Sequence, residues 1–235
     1  GLGEDTYSLI QTRVPDLDFL STQVYGMLTV LHEHVASIGV DMPIMVTEWG
    51  TVGHWELPQT DWGAPLELTS TEKAAHYLKG YDLAIAPFPD QVLGSFVFLW
   101  GQKQERTPTW YGMFTLNGEI TEPVDTAQKL WSGQWPKNRA PYIDGLFLDD
   151  QAASESVLLK PGADYPILVE AGDIDSERLS IEWVVMEESQ AKEIGGDREV
   201  IPTTLPDLVE SASAETILRA PMAPGAYRLF VYVRD

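Results

Sequence analysis

Glu48 is the residue whose position best fits chemistry. It lies near the end of the apolar run Pro43-Ile-Met-Val-Thr-Glu-Trp49 and is followed by Gly50. An apolar run of strand length ending in a carboxylate delivers the acid to the loop that follows. In barrel-type α/β proteins that rim is where catalytic groups collect. A carboxylate so placed can attack an anomeric carbon and give a covalent glycosyl intermediate that water then hydrolyses. An ordinary solvated strand end fits the same local pattern, so the neighbours decide. Tyr25 ends the preceding strand-like run (Leu17–Tyr25) and Trp100 ends the following one (Val92–Trp100). A phenol can hydrogen-bond the carboxylate and hold it ionised, and an indole face can stack on a pyranose ring. Singly, each is an unremarkable core residue; together, at equivalent places in consecutive units, they favour a site.

The expected catalytic pair is therefore Glu48 and Tyr25. Trp100, Trp49, His54, Trp55 and Gln102 form the expected substrate-binding set. His54, Trp55 and Trp62 fall in a loop of about 20 residues after Glu48, and long loops on such rims shape subsites. His54 suits either a sugar hydroxyl or a bond to loop backbone. Arg106 suits either the cleft, with Gln102 and Lys103, or pairing with a nearby acid. Trp110 and Tyr111 suit a further aromatic wall or, better, the core, and Glu56 and Glu105 read as solvated loop charges.

The elements that must position these residues alternate. After the strand-like run to Tyr25, Met27–Ser37 has helical spacing closed by Gly39, and Pro43–Trp49 is strand-like. Thr69 or Ser70 caps a helix running to about Ala86, with Glu72 near its positive end. Val92–Trp100 is apolar throughout, as in a strand buried on both faces, and a last helix spans about Pro123–Trp131. Strand and helix in alternation imply a parallel sheet.

The remainder reads as all-β. All but one of the eight tryptophans precede residue 141, the exception being Trp183. Residues 136–141 read as a linker between a unit at 1–135 and one at 142–235. Strand candidates in the second unit are Gly145–Leu148, Ser156–Leu159, Tyr165–Ala171, Leu179–Met186 and Ala226–Val233. Pro161-Gly162 and Gly195-Gly196-Asp197 mark turns. Short, regularly spaced strands around one tryptophan suggest an immunoglobulin-like β-sandwich.

Composition excludes several classes. Fifteen Lys plus Arg against 36 Asp plus Glu give a formal charge of −21, a field that repels nucleic-acid phosphates and anionic membrane surfaces. The absence of cysteine removes thiolate nucleophiles and Cys-based zinc sites. The histidines at 32, 34, 54 and 76 lack the H-E-x-x-H spacing of a catalytic zinc site, and no phosphate-binding glycine motif occurs. No cofactor and no metal are expected. Asp173 and Asp175 sit in an acidic turn, Ala171–Leu179, that resembles turns of polycystic-kidney-disease-type and cadherin-like domains. Two carboxylates are well short of the six to eight oxygens calcium takes, and Asx-turn chemistry accounts for them.

Pro43-Ile-Met-Val-Thr-Glu-Trp-Gly50 resembles the nucleophile strand, the seventh, of retaining glycoside hydrolases of the large TIM-barrel clan, family 2-like in particular. Asp16–Gly26 resembles the sixth strand of that clan and Ser95–Gly101 the eighth. The resemblance covers about residues 10–135. It implies that Glu48 is the nucleophile, Tyr25 its hydrogen-bond partner and Trp100 a sugar platform, acting on a carbohydrate substrate. The clan's acid/base glutamate follows asparagine on the fourth strand, and this sequence has no Asn-Glu pair. The expectation is the C-terminal part of a (β/α)8 barrel, about three βα units, whose missing N-terminal half supplies that acid and without which the fragment is inactive. A glycan-binding protein on a degenerate barrel and a transglycosylase on the same site are the alternatives. An accessory sandwich and an acidic surface agree, by analogy, with an extracellular, periplasmic or cell-surface setting.

Overall fold

The computed structural model describes residues 3–175, 178–192, 194–196 and 199–235. Asp197 of one expected turn and Ser176 and Glu177 of the acidic turn lie outside them. The chain begins with helix α1 (Glu4–Arg13), which the sequence reading did not anticipate. Strands β1 (Leu20–Gln23), β2 (Ile44–Gly50) and β3 (Val92–Phe98) then form a parallel sheet in the order β1-β2-β3. A 3₁₀ turn (Gly26–Val30) and helix α2 (Leu31–Ser37) connect the first two strands. Helix α3 (Ser70–Ala84) connects β2 to β3, and helix α4 (Glu122–Ser132) follows β3.

Local signals explain the helix ends. Thr69 accepts from the Glu72 amide while the Glu72 carboxylate accepts from the Thr69 amide, a reciprocal cap that satisfies two otherwise orphaned donors. Pro123 stands in the first turn of α4, and Gly133 closes that helix at φ 76°. One face of the sheet packs on the helices through Ile44, Val46, Trp49, Tyr77, Val92 and Met113, all buried. The three strands do not close into a barrel, and Phe96 of β3 is 58% exposed.

Residues 142–235 are all-β among the described residues. β4 (Tyr142–Leu148), β5 (Gln151–Ala152), β6 (Asp164–Gly172) and β9 (Glu215–Arg219) make a sheet in the order β5-β4-β6-β9. β7 (Ser180–Glu187), β8 (Thr204–Leu205) and β10 (Tyr227–Arg234) make another, β10-β7-β8. Both contribute to one cluster, Ile167 and Leu218 from the first and Val185 from the second, with Trp183 packed against it. Residues 156–159 are not a strand: that apolar stretch lacks a pairing partner. β5, β8 and β9 are too short or too polar to have been read from pattern alone.

The helical part and the strands are tied together by polar contacts. Arg228 donates to Pro65 O at 2.7 Å, Arg234 pairs with Glu119 at 2.6 Å, and the Ile143 amide donates to Thr71 Oγ1 at 2.8 Å. The buried Lys73 ammonium lies 2.5 Å from Glu67 and donates to Thr109 O at 2.7 Å. Burial pushes the Glu67 carboxyl up, but Lys73, hydrogen bonding and Arg228 outweigh it and hold Glu67 below the usual carboxylate range.

Gly50 pairs with Phe98 where β2 and β3 approach closely. A Cβ there would meet Phe98 O and the Tyr77 hydroxyl, and the carbonyl cannot rotate aside as a flexible side chain can. Gly50→Ala is expected to cost about 1–3 kcal/mol by overpacking, measured as a lower denaturation midpoint at unchanged m-value; an unchanged midpoint would contradict that packing.

Candidate active site

A break in strand periodicity positions Glu48. Ile44 and Val46 face the helices, and simple alternation would send residue 48 into the same core. Both neighbouring registers shift here: Thr22 pairs with Val46 but Gln23 with Glu48, and on the other side Ser95 pairs with Val46 but Val97 with Trp49. Thr47 is the extra residue, its hydroxyl donating to Thr22 O at 3.2 Å. A bulge of this kind re-aims the side chains beyond it. It turns Trp49 into the core, at 0% exposure and against Tyr77 and Tyr81, and leaves Glu48 half-buried on the other face. Trp49 is thus not a cleft residue, contrary to the sequence expectation: the phase change that delivers the carboxylate buries the indole.

Two side chains, Gln23 at the end of β1 and Tyr25 just beyond it, hold Glu48. The Tyr25 hydroxyl donates to Oε2 and the Gln23 amide to Oε1, each at 3.0 Å. Burial first, and then the Glu48 charge, push the Tyr25 phenol far above its ordinary value, so it stays a donor. A hydrogen bond to a charged acceptor contributes about 1.5–3 kcal/mol. Gln23 was not foreseen; its position two residues before Tyr25, on the same strand face, is the signal that could have found it.

Aromatic rings surround the phenol. Trp55, Phe98 and Tyr111 meet the Tyr25 ring at centroid distances of 5.8, 6.1 and 5.9 Å. Trp55 is 43% exposed and can offer a ring face to a ligand. Phe98 stands where the sequence reading put Trp100. β3 ends at Phe98, and Trp100, two residues further on, packs against Phe114 and Trp131 of α4 at 5.1 and 5.8 Å. Trp100 therefore belongs to a separate exposed cluster, because the strand ends earlier than its apolar composition suggested.

The remaining expected residues are structural in this geometry. His54 is buried; its amide donates to the Tyr111 hydroxyl at 3.2 Å, and its ring packs on Trp55 and Trp110. Gln102 donates to Pro108 O at 3.0 Å, bracing its own loop. Trp110 is buried and donates to Val52 O at 3.0 Å. Glu56 is exposed, yet its Oε2 accepts from the amides of Gly26 and Gly53, both at 2.9 Å, tying the β2 loop to the residue after Tyr25.

Glu105 corrects the sequence reading outright. It is 3% exposed, 2.6 Å from Lys103 and 3.8 Å from the His54 ring, and accepts from the Gly195 amide at 3.0 Å. A buried carboxylate needs such partners, and one of them, the Gly195 amide, comes from 90 residues away, where no local pattern shows it. Asp175, weighed as a calcium ligand, accepts from the Arg139 amide at 2.8 Å. Among the described residues, no group of three His, Cys, Asp or Glu is arranged to hold a metal ion.

A cavity of about 350 Å³ lies between the helical part and the strands, bordered by Lys73, Phe147, Phe230 and Arg234 but not by Tyr25 or Glu48. The candidate site is separate from that cavity.

No family model matches the chain. No curated protein matches it either. Among solved structures, a crystal structure from Bacteroides fragilis described as a putative beta-galactosidase aligns with 99% of this chain and 37% of its own. The sequence identity is 11% and the TM-score 0.34. This chain thus spans well under half the length of that protein.

Burial first, then Arg106, lowers the His54 imidazole below its ordinary value against the opposing pull of Glu105. A histidine depressed in the fold stabilises it above the unfolded value of about 6.5, and that contribution is lost as pH falls through the folded value. Thermal melts should therefore show Tm falling on acidification below about pH 6.5. His54→Gln should remove part of that slope, with His76, lowered by its own burial, supplying another part. An identical slope in His54→Gln would contradict the assignment.

Proposed function

We propose that this chain carries the nucleophile portion of a retaining glycoside hydrolase acting on oligo- or polysaccharide. The observation that carries the reading is the Tyr25–Glu48 hydrogen bond of 3.0 Å, on a bulged strand end beside an exposed indole. In this reading the Glu48 carboxylate attacks the anomeric carbon as the glycosidic C–O bond breaks, giving a glycosyl ester. Water then attacks the same carbon, releases Glu48 and restores the starting configuration. Tyr25 and Gln23 fix the carboxylate during attack, and the phenol offers its proton as a hydrogen bond without giving it up. Trp55 supplies the face against which the sugar ring packs.

Protonating the leaving oxygen requires a second carboxyl about 5–5.5 Å from the first. Glu105 is ill suited to that task, since Lys103 and the Gly195 amide already occupy it out of solvent. The proposal therefore assigns the acid/base, and the strands that would close a (β/α)8 barrel over the exposed Phe96, to another part of a longer chain. It divides the present sequence into a partial barrel at 1–135, a linker at 136–141 and an immunoglobulin-like sandwich at 142–235.

In the longer chain, Glu48→Gln should lower turnover on a panel of oligosaccharides by on the order of 10⁴-fold or more, while glycan binding by calorimetry is retained. Tyr25→Phe should lower kcat/KM roughly 10- to 100-fold, the equivalent of one charge-assisted hydrogen bond. Turnover by Glu48→Gln at the parent rate would remove the assignment.

A further inference from the structure

The loop that follows β3 is braced by its own contacts and also from outside, by the connection between β7 and β8. Arg106 lies at φ 62°, a left-handed conformation that non-glycine residues rarely adopt and keep only where surrounding contacts over-determine it. Glu105 and Thr107 exchange backbone hydrogen bonds around it, and further contacts come from Ala191 and Glu199. The Arg106 amide donates to Glu199 Oε2 at 2.8 Å, and the Arg106 guanidinium donates to Ala191 O. The Ser189 hydroxyl donates to the same Glu199 oxygen at 3.3 Å. One residue earlier, Glu105 accepts from the Gly195 amide at 3.0 Å.

From that anchor, contacts lead to the candidate site. Glu105 holds the Lys103 ammonium at 2.6 Å, and Lys103 lies over the Phe98 ring at 5.8 Å. Glu105 also faces the His54 ring, whose backbone amide donates to Tyr111. Phe98 and Tyr111 are two of the three rings packed on Tyr25, the residue that orients Glu48. The rings thus rest on a loop whose left-handed turn is braced in part from outside.

We infer that Ser189, Ala191, Gly195 and Glu199, in the connection between β7 and β8, form a positioning element of the candidate site, with Glu199 as the latch and Glu105 as the residue that relays it to the aromatic wall around Tyr25. The inference rests on the glycosidase reading for its consequence in turnover, but the ordering of the loop can be read without any activity. If the latch sets the wall, its loss misorients Glu48 in the chemical step and leaves the ground-state sugar contacts at Trp55 in place. A displacement of the order of 1 Å at a reacting group can cost as much as about 100-fold in rate.

The test compares Glu199→Ala and Glu199→Gln in the longer chain, by hydrogen exchange of peptides covering 52–56 and 98–112 and by steady-state kinetics on the oligosaccharide panel. Glu199→Gln keeps an oxygen acceptor for the Arg106 amide, so it is expected to behave as the parent. Glu199→Ala should speed exchange in those two segments but not in β6 or β7, and should lower kcat roughly tenfold with KM within about twofold. Three results would overturn the inference: unchanged exchange, faster exchange spread equally over β6 and β7, or locally faster exchange with kcat unchanged. A parent chain inactive on every glycan would instead sink the glycosidase reading; the exchange pattern would still decide whether Glu199 orders the loop.

Discussion

The placement of Glu48 depends on one extra residue in β2. Two-residue periodicity would bury a carboxylate among Ile44, Val46 and the helices, where an unpaired charge is untenable. Thr47 absorbs the mismatch, and the shift has two consequences at once. Trp49 gains the core position and fills it completely, while Glu48 emerges beside Gln23 and Tyr25. The core and the site are thus coupled through a single bulge: a change that restored regular alternation would displace the indole and bury the acid together. Gly50 belongs to the same arrangement, since the strand regains close contact with β3 immediately beyond the bulge.

Around that strand end the surroundings separate two carboxylates by role. Glu48 is half-buried and hydrogen-bonded by neutral donors at and just beyond the end of β1. Glu105 is inaccessible and matched to a cation, a backbone amide and a histidine ring. The first arrangement leaves a carboxylate available to a ligand, whereas the second spends its carboxylate on holding a loop. The same physical rule, that a buried charge must be partnered, explains why Glu105 lies at the junction between the helical part and the strands, where partners from both are in reach.

Much of the first part was legible in the sequence, for identifiable reasons. The run Pro43–Trp49, the Thr69–Glu72 cap and the apolar stretch from Val92 carry local signals strong enough to place β2, α3 and β3. Tyr25 meeting Glu48 was legible too, because parallel neighbours in register bring equivalent ends together. What failed had no local signature. The burial of Trp49 follows from a bulge, and a bulge is set by pairing. Trp100 was misplaced because an apolar run does not tell where its hydrogen bonding stops. Glu105 and His54 looked like loop polar groups because a partner of each, the Gly195 amide and the Tyr111 hydroxyl, comes from a distant part of the chain. In the all-β part, β8 and β9 pair through residues whose alternation is weak, and Ser156–Leu159 has the composition of a strand without a partner.

The account stands most directly on which atom becomes bonded to sugar. Incubating the longer chain with a panel of activated 2-deoxy-2-fluoroglycosides, followed by proteolysis and mass spectrometry, would trap the glycosyl ester where it forms. The expected result is a single adduct on the peptide containing Glu48, absent when the reagent is withheld. An adduct on a different carboxylate, or inactivation that leaves the Glu48 peptide unlabelled, would contradict the role assigned to this residue.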